Sequence, residues 1–297
     1  MATYRTLMLL CFLAAPAIGA WQGGLNVRFD ITVVGIGVTA FIELPQSNTT
    51  AAEKNWVRLT RPEGPAGLAS LVLWCPPTDY TVCVLIDDTG YIAGLQIALD
   101  IEKVTGNTFD MRTQGFTYWT TNLNGETKNY WTTQQYYISP ETLATDPANR
   151  IAARDPHVLL QDHSIYVSSF NGELLAISTN TSDIAHNSDF TEQACIPGMG
   201  DHYYYKMTPE LKCTEDNLMP WFPLVHSDQL IGLGMVTYGR HTVSEGATDW
   251  FETPTRGVIM AIVPRGPQCM YDLADSPGVI TMHTYFIKHP YEVTCLV

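Results

Sequence analysis

Two histidines in strand-like, aromatic segments are the residues whose chemistry stands out in this chain of 297 residues. His202 follows the turn Gly198-Met199-Gly200 and precedes a run of tyrosines, and His283 lies in the apolar segment 281–286. Neutral imidazole is a common protein ligand of Zn, Cu and Ni. Two histidines on neighbouring strands therefore predict a shared site, and the alternative is that each ring is a hydrogen-bonded polar group within a β core.

A metal site needs at least one further ligand, and the strand periodicity indicates which side chains lie nearby. Alternate residues of a strand point to the same face, so His202 shares a face with Tyr204, and His283 with Tyr285. A credible zinc site has three or more protein ligands, and His226 is the nearest candidate. We therefore expect His202, His283 and His226 as metal ligands, with Zn or Cu as the ion, and the two tyrosines as ligand-binding residues of the same pocket.

The same residues leave three functions open. The leading interpretation is a non-enzymatic extracellular protein that holds a ligand or metal in this pocket. The second is a metal-dependent enzyme, which an open coordination position would favour, and the third is a purely structural protein with both histidines in the core. Serine-hydrolase chemistry has little support, because there is no G-x-S-x-G motif. The adjacent Asp162, His163 and Ser164 point to alternate faces of a strand and cannot form a triad by themselves.

The N-terminus predicts secretion. Residues 1–20 combine a basic Arg5, an apolar run over residues 7–15 and the small residues Gly19 and Ala20, which is typical of a cleaved signal peptide. No later segment has enough uninterrupted apolar residues for a membrane span. Without Arg5 the chain has 15 basic and 30 acidic residues, which disfavours nucleic acid as a partner. The partners we expect are a small molecule, a carbohydrate or another extracellular protein.

Six cysteines remain after the predicted cleavage, and an even number in a secreted chain predicts three disulfides. No C-x-x-C pair is present, so thiolate metal binding is disfavoured. Several pairings are compatible with six cysteines. The spacing favours the local pairs Cys75–Cys83, Cys195–Cys213 and Cys269–Cys295.

Two sequons predict N-glycosylation. Asn48 begins Asn-Thr-Thr and Asn180 begins Asn-Thr-Ser, both in hydrophilic, turn-like segments. A glycan acceptor must be exposed on a secreted chain, and these contexts favour exposure.

The distribution of β-branched and aromatic residues predicts a mostly β fold, with α+β as an alternative. Turn sequences such as D-D-T-G and F-N-G-E separate the apolar runs. Ser139 followed by Pro140 predicts a capped helix start. The predicted strands are 28–44 (one or two strands), 71–73, 81–85, 91–97, 116–120, 129–138, 165–169, 174–179, 202–207, 222–226, 230–238, 258–263 and 280–288.

The two halves of the chain resemble each other, which predicts an internal duplication. Residues 84–99 and 223–237 both read as apolar strand, acidic turn and a Gly-Leu strand, and segments 130–138 and 280–287 follow in the same order. We expect two related antiparallel β units, over residues 21–150 and 151–297. In the first unit, residues near Gly67 and Leu68 occupy the position that corresponds to His202. Gln134 or Gln135 occupies the position that corresponds to His283. We therefore expect that the fold does not require the histidines.

A family likeness joins these motifs. The order C-x-P-G-M-G-x-H-Y, P-W-F-P-L-V, L-I-G-L-G and T-M-H-x-Y-F, between Cys195 and Cys295, resembles a group of secreted invertebrate proteins of unknown function. The string V-C-V-L-I-D-D-T-G-Y-I-A-G-L-Q is similar to the first-half region of that group. More loosely, the two histidine motifs resemble a bacterial β-barrel family that has a further histidine where this chain has Gly278 and Val279. The resemblance implies a secreted β protein and suggests that the two histidines pair, without implying an activity.

Overall fold

The computed structural model describes residues 23–28 and 40–295. The predicted signal peptide and most of the predicted strand region 28–44 lie outside the described residues. Seventeen strands and six α-helices are found in the described ranges. The strands are β1 (Asn26–Arg28), β2 (Phe41–Glu43), β3 (Val57–Leu59), β4 (Val72–Cys75), β5 (Val82–Ile86), β6 (Ile92–Asp100), β7 (Val104–Thr105), β8 (Thr117–Leu123), β9 (Glu126–Tyr136), β10 (Ser164–Ser168), β11 (Leu174–Ser178), β12 (Phe190–Ile196), β13 (Gly200–Tyr205), β14 (Trp221–His226), β15 (Gln229–Tyr238), β16 (Arg240–His241) and β17 (Val279–Tyr285). The helices are α1 (Asn48–Glu53), α2 (Pro140–Leu143), α3 (Pro147–Ala153), α4 (Thr181–His186), α5 (Arg256–Ile262) and α6 (Gln268–Asp275).

Two antiparallel sheets form the body of the protein, so the mostly β prediction is confirmed. The first sheet has the strand order β11-β10-β9-β6-β5-β4-β3, with β8 paired to β9, and the second has β12-β13-β14-β15-β17-β1-β2. Buried side chains from both sheets, among them Val84, Leu95, Leu233 and Met282, meet in one core cluster. Because each sheet presents alternate residues to this core, the other residues of each strand form two outer faces.

The two sheets share one irregularity in their register. The hairpin β5–β6 slips by one residue next to Gly94, and the hairpin β14–β15 slips next to Gly232. Gly94 pairs with Tyr136 on β9, and Gly232 pairs with Tyr285 on β17. The same order of strands, the same slip and the same Gly–Tyr pair therefore recur in both sheets.

This register identifies the counterparts of the two histidines in the first sheet. His283 corresponds to Gln134, because both lie two residues before the paired tyrosine. His202 corresponds to Leu73, and the predicted match to residues 67–68 is wrong. Residues 66–68 form a helical turn ahead of β4, which a gapped comparison of the two halves did not separate from the strand.

Corresponding residues of β9 and β17 also meet at the centre of the core. Gln135 donates its Nε2–H to Thr284 Oγ1 at 3.1 Å. The ring of Tyr137 packs edge-on against Phe286, with 5.5 Å between the centroids. Contacts between counterpart positions are those of a two-fold relation between the sheets. Descent from a duplicated β unit remains a prediction.

The predicted boundary at residue 150 does not separate the two sheets. β10 and β11 follow that residue but extend the first sheet, and β1 and β2 from the N-terminal segment complete the second sheet beside β17. Sheet membership is decided by which segment pairs with an open strand edge, and local sequence similarity does not report this.

Helices cover the outer face of the second sheet. α5 and α6 pack over it with Ile259, Ile262 and Val263 buried. The prediction of a strand at residues 258–263 is wrong, because these apolar residues are spaced by three to four positions and form one buried helical face. The predicted helix start at Ser139 is confirmed, with its hydroxyl accepting the backbone N–H of Thr142 at the start of α2.

Three disulfides are present in the described residues, and only one predicted pair is correct. The backbone N–H of Gly198 donates to the carbonyl of Val293 at 2.8 Å, which holds the C-terminal segment beside β12. Proximity of strands, and not spacing along the chain, therefore sets the pairing. The pairs Cys195–Cys213 and Cys269–Cys295 are wrong, and the bonds are Cys75–Cys83, Cys195–Cys295 and Cys213–Cys269.

The two sequons differ in exposure. Asn180 is exposed and caps α4, its side-chain oxygen accepting from the backbone N–H of Ser182 at 3.0 Å. Asn48 is partly buried against the turn at Gly90. None of the helices in the described ranges is long and apolar enough to cross a membrane.

Candidate functional site

The structure brings the two predicted histidines together on the outer face of the second sheet. His202 lies on β13 and His283 on β17, with β14 and β15 between them. Gly234 of β15 pairs with His283, and Phe222 of β14 pairs with Gly234. Because Gly234 has no side chain, the ring of Phe222 lies over it, where a Cβ would overlap that ring. The two imidazole centroids are 5.8 Å apart.

Backbone carbonyls fix the orientation of the His202 ring. Its Nδ1 lies 3.2 Å from the carbonyl oxygen of Ala194 and 3.1 Å from that of Gly200, so Nδ1 carries the proton and donates. Gly200 has a positive φ, and a Cβ there would lie 2.6 Å from the carbonyl oxygen of Val225. The glycine turn therefore positions the carbonyl that holds the imidazole. The Nε2 atom of His202 is buried and has no hydrogen-bond partner among the described residues.

A buried carboxylate plays the corresponding part at His283. Nδ1 of His283 lies 3.1 Å from Glu252 Oε2, and Oε1 of the same carboxylate lies 3.2 Å from Arg28 Nε. The backbone of Glu252 is held beside β17 by two 2.8 Å hydrogen bonds with Thr281. All three charged or polar side chains are buried, and the carboxylate favours a proton on Nδ1. We call His202, His283, Glu252 and Arg28 the histidine cluster.

Burial controls the ionisation of this cluster. Desolvation, together with the neighbouring His283, lowers the pKa of His202 to about 3, so the ring is neutral near neutral pH. Desolvation also raises the pKa of Tyr204 and Tyr285 above their usual range. Tyr204 stacks on Phe222 at 4.6 Å. Both predicted tyrosines therefore lie beside the histidines, in a closed and largely apolar surrounding.

The third predicted ligand does not complete a metal site. His226 is partly exposed at the end of β14 and interacts with Asp201. Among the described residues, no group of three His, Cys, Asp or Glu side chains could hold a metal ion. The three-histidine geometry expected from the sequence is therefore not formed.

An open cavity of about 330 Å³ lies elsewhere, between the β5–β6 turn and the helices α2 and α3. We call it the α2–α3 cavity. Its apolar wall contains Ile92, Ile138 and Leu159. The polar residues that line it are Asp87, Thr89, Tyr91, Tyr137, Thr142, Thr145, Asn149, Arg150, Arg154, Gln161 and Asp162.

Most charged groups of this cavity are already paired within the protein. Arg150 donates to the carbonyl oxygens of Leu143 at 2.6 Å and Thr145 at 2.5 Å, and it also bonds Asp88. Asp87 accepts from the backbone N–H and the hydroxyl of Thr89. These groups shape the wall of the cavity and have little capacity left for a ligand.

Two hydrogen-bond donors of the cavity, Arg154 and Tyr137, are not paired with other groups of the protein in the way that Arg150 and Asp87 are. The guanidinium of Arg154 lies over the ring of Tyr91, 4.1 Å from its centroid. No ion pair or hydrogen bond of this guanidinium is found in the described part of the chain. Tyr137 is buried, and its hydroxyl has no partner among the described residues. Both groups can donate to an acceptor placed in the cavity.

The sequence carried few signals for this cavity. Tyr91, Tyr137 and Arg154 come from a hairpin turn, a strand end and the residue after a helix. No motif links residues so far apart, and only the Ser139-Pro140 helix start and the D-D-T-G turn mark its walls.

Comparison with known proteins adds no relative. The chain matches no protein-family model, no curated protein and no solved structure. The resemblance to secreted invertebrate proteins stays a prediction, and the assignment of sites rests on geometry.

Proposed function

We propose that the protein is a secreted, non-enzymatic binding protein that holds a small carboxylate with an apolar body in the α2–α3 cavity. The observation that carries the proposal is Arg154, half-buried on Tyr91 at this cavity. Its guanidinium has no close ion pair or hydrogen bond among the described residues, and the carboxylate of Asp87 attracts it only from a longer distance. A guanidinium fork matches the geometry of a carboxylate and bonds it strongly.

The remaining groups of the cavity select the same class of ligand. The unused Tyr137 hydroxyl is a second donor, while the carboxylate of Asp162 already accepts from Ser139 and Thr142. A ligand that accepts hydrogen bonds is thus favoured over one that donates them. Burial lowers the pKa of Arg154, which indicates that its charge is incompletely solvated and gains from an anion.

Size and lining are suited to a small amphipathic molecule. A volume of about 330 Å³ lies at the lower end of the range for small-molecule sites, about 300–1,000 Å³. Ile92, Ile138 and Leu159 supply an apolar wall, and burying an apolar chain against it contributes roughly 25 cal/mol per Å².

The extracellular setting is supported by several features together. The N-terminal sequence is typical of a signal peptide, and disulfides are stable in oxidising compartments. Three are present among the described residues. The acidic surface expected from 30 acidic and 16 basic residues favours solubility.

A catalytic role for the histidine cluster has less support. His202 and His283 are both buried beneath the helical layer, so a substrate does not reach either ring without opening of the fold. The cluster is better suited to positioning strands or to enclosing something small, and the ligand-binding role is therefore assigned to the α2–α3 cavity.

Isothermal titration of the secreted protein with octanoate and with octanol tests the proposal. We expect one octanoate per chain and weaker binding of octanol, which has the chain without the charge. Arg154→Gln should weaken octanoate binding about 10- to 100-fold, since a hydrogen bond to a charged group contributes about 1.5–3 kcal/mol.

A matched control comes from another arginine stacked on an aromatic ring. Arg58 lies over Trp74 at 4.8 Å, away from the cavity, and Arg58→Gln should leave octanoate binding unchanged. Absence of binding to the wild type, or equal loss in the two arginine variants, would overturn the proposal.

A further inference from the structure

We infer that the histidine cluster encloses a two-coordinate site for a soft monovalent cation of the Cu(I) or Ag(I) class, with the Nε2 atoms of His202 and His283 as ligands. This inference is independent of the α2–α3 cavity. It differs from the three-histidine site expected from the sequence in its coordination number and in leaving out His226.

The first step is the state of the two nitrogens. His202 donates from Nδ1 to two backbone carbonyls, and Nδ1 of His283 faces Glu252 at 3.1 Å. In neutral imidazoles with Nδ1 protonated, Nε2 carries a lone pair. Both Nε2 atoms are buried and lack a hydrogen-bond partner among the described residues. Buried acceptors are nearly always satisfied, so a pair of unsatisfied ones points to a bound species.

The second step is the support behind each ligand. Metal-binding histidines almost always donate their other ring N–H to a carbonyl or carboxylate, which fixes the tautomer and the ring orientation. Here Nδ1 of His202 donates to the carbonyls of Ala194 and Gly200, and Nδ1 of His283 lies at ion-pair distance from Glu252 without a hydrogen bond of good geometry. The two supporting groups come from unrelated segments, and Nε2 of each ring has no hydrogen-bond partner among the described residues.

The third step is distance. Two imidazole nitrogens bound to one ion lie within about 4 Å of each other. The ring centroids of His202 and His283 are 5.8 Å apart. This separation is compatible with a nitrogen–nitrogen distance of about 4 Å, because each nitrogen lies half a ring width from its own centroid. The ring of Phe222 completes a nearly equilateral triangle, with centroids 5.6 Å from His202 and 5.5 Å from His283.

The coordination number and the charge select the ion. Zinc takes four ligands, usually with three or more from protein, and no group of three His, Cys, Asp or Glu side chains among the described residues could hold a metal ion. Closed-shell monovalent ions of the copper group accept two nitrogen ligands in a near-linear arrangement. A single positive charge also costs less to bury than two.

The surroundings offset that charge. Glu252 lies next to His283 and contributes a negative charge that Arg28 already balances in part. The ring of Phe222 lies within 6 Å of both imidazoles, and a cation near an aromatic face gains about 0.5–2 kcal/mol.

Silver is the probe of choice, because Ag(I), unlike Cu(I), needs no added reductant that could cleave the disulfides. Chelator-treated protein is unfolded in urea with its disulfides in place and refolded by dilution into a nitrate buffer containing equimolar Ag(I). Refolding gives the ion access to a site that is closed in the native state. Silver and zinc retained after gel filtration are then measured by elemental analysis.

We expect about one Ag(I) per chain and no retained Zn(II). His202→Asn and His283→Asn keep an N–H donor near the Nδ1 position and remove Nε2, so each should lose the bound silver. The exposed His163 provides the matched control, and the His163→Asn variant should retain the bound silver. Silver that persists in the two cluster variants, or a wild type that retains none, would overturn the inference.

A second measurement on the wild type covers the case in which a cluster variant does not refold. Nitrogen NMR of histidine-labelled protein should show Ag(I)-dependent shifts of the Nε2 resonances of two histidines out of the eight in the chain. Shifts spread over surface histidines, with the two buried ones unchanged, would overturn the inference.

Discussion

Replacing Glu252 by Gln should destabilise the protein strongly, because this carboxylate lies between two buried partners, Arg28 and His283. Its oxygens lie 3.2 Å from Arg28 Nε and 3.1 Å from His283 Nδ1, and the Glu252 side chain has no solvent exposure. Gln has nearly the same volume, so no cavity forms and the change removes charge alone. Breaking a buried ion pair from one side costs about 3–5 kcal/mol.

The assay is urea unfolding at pH 7 with the disulfides intact, followed by the fluorescence of the buried tryptophans. Domains of this kind have a total stability of about 5–15 kcal/mol, so Glu252→Gln should shift the midpoint to much lower urea. Asp272→Asn serves as the control, because the Arg256–Asp272 pair is exposed on the surface. Exposed pairs contribute about 0–1 kcal/mol.

The comparison between these two variants decides whether the reasoning holds. A loss for Glu252→Gln no larger than that for Asp272→Asn would refute it. Such a result would mean that Arg28 and His283 are stabilised well enough by their other neighbours, and that the carboxylate does not anchor β1 and β17.

Two further predictions concern acidity and glycosylation. Because burial lowers the pKa of His202 to about 3 from its ordinary 6.5, the unfolded chain binds a proton in this interval and the folded chain does not. The stability of the metal-free protein should therefore fall by on the order of 4 kcal/mol from pH 6.5 towards pH 3. His202→Asn should reduce this dependence of stability on pH. The prediction would be contradicted if urea titrations gave the same pH dependence for the wild type and the variant. Ser182→Ala should abolish a glycan on Asn180 while keeping the helix cap, as intact mass before and after glycosidase treatment will show; a wild type without glycan would contradict it.

The periodicity of the sequence was sufficient to predict where most strands lie and which side chains share a face with His202 and His283. β5, β6, β9, β14, β15 and β17 all overlap predicted segments, since alternating apolar residues and turn sequences are local signals. α5 was missed because a short apolar run is compatible with either a strand or a buried helix. The sequence left open whether His202 and His283 meet, and it gave no signal that Glu252 would join them.

Glu252 and Arg154 show why local sequence signals do not predict where every functional side chain lies. Glu252 lies in an irregular segment, and only its backbone pairing with Thr281 places the carboxylate beside His283. Arg154 follows a short helix, and only the packing of that helix on the hairpin turn at Tyr91 places it at a cavity. Neither placement has a local sequence signal.

The sequence by itself determined a β-rich, cysteine-containing chain with a secretion-like N-terminus, because composition, alternation and turn chemistry act over a few residues. The tertiary structure alone decided which strand edges pair, which cysteines bond and which polar groups are buried without a partner. Those outcomes depend on contacts between distant segments, such as the Cys195–Cys295 disulfide with a sequence separation of 100 and the pairing of Asn26 with Tyr285. Such contacts arise from the packing of two whole sheets, and no short stretch of sequence encodes them.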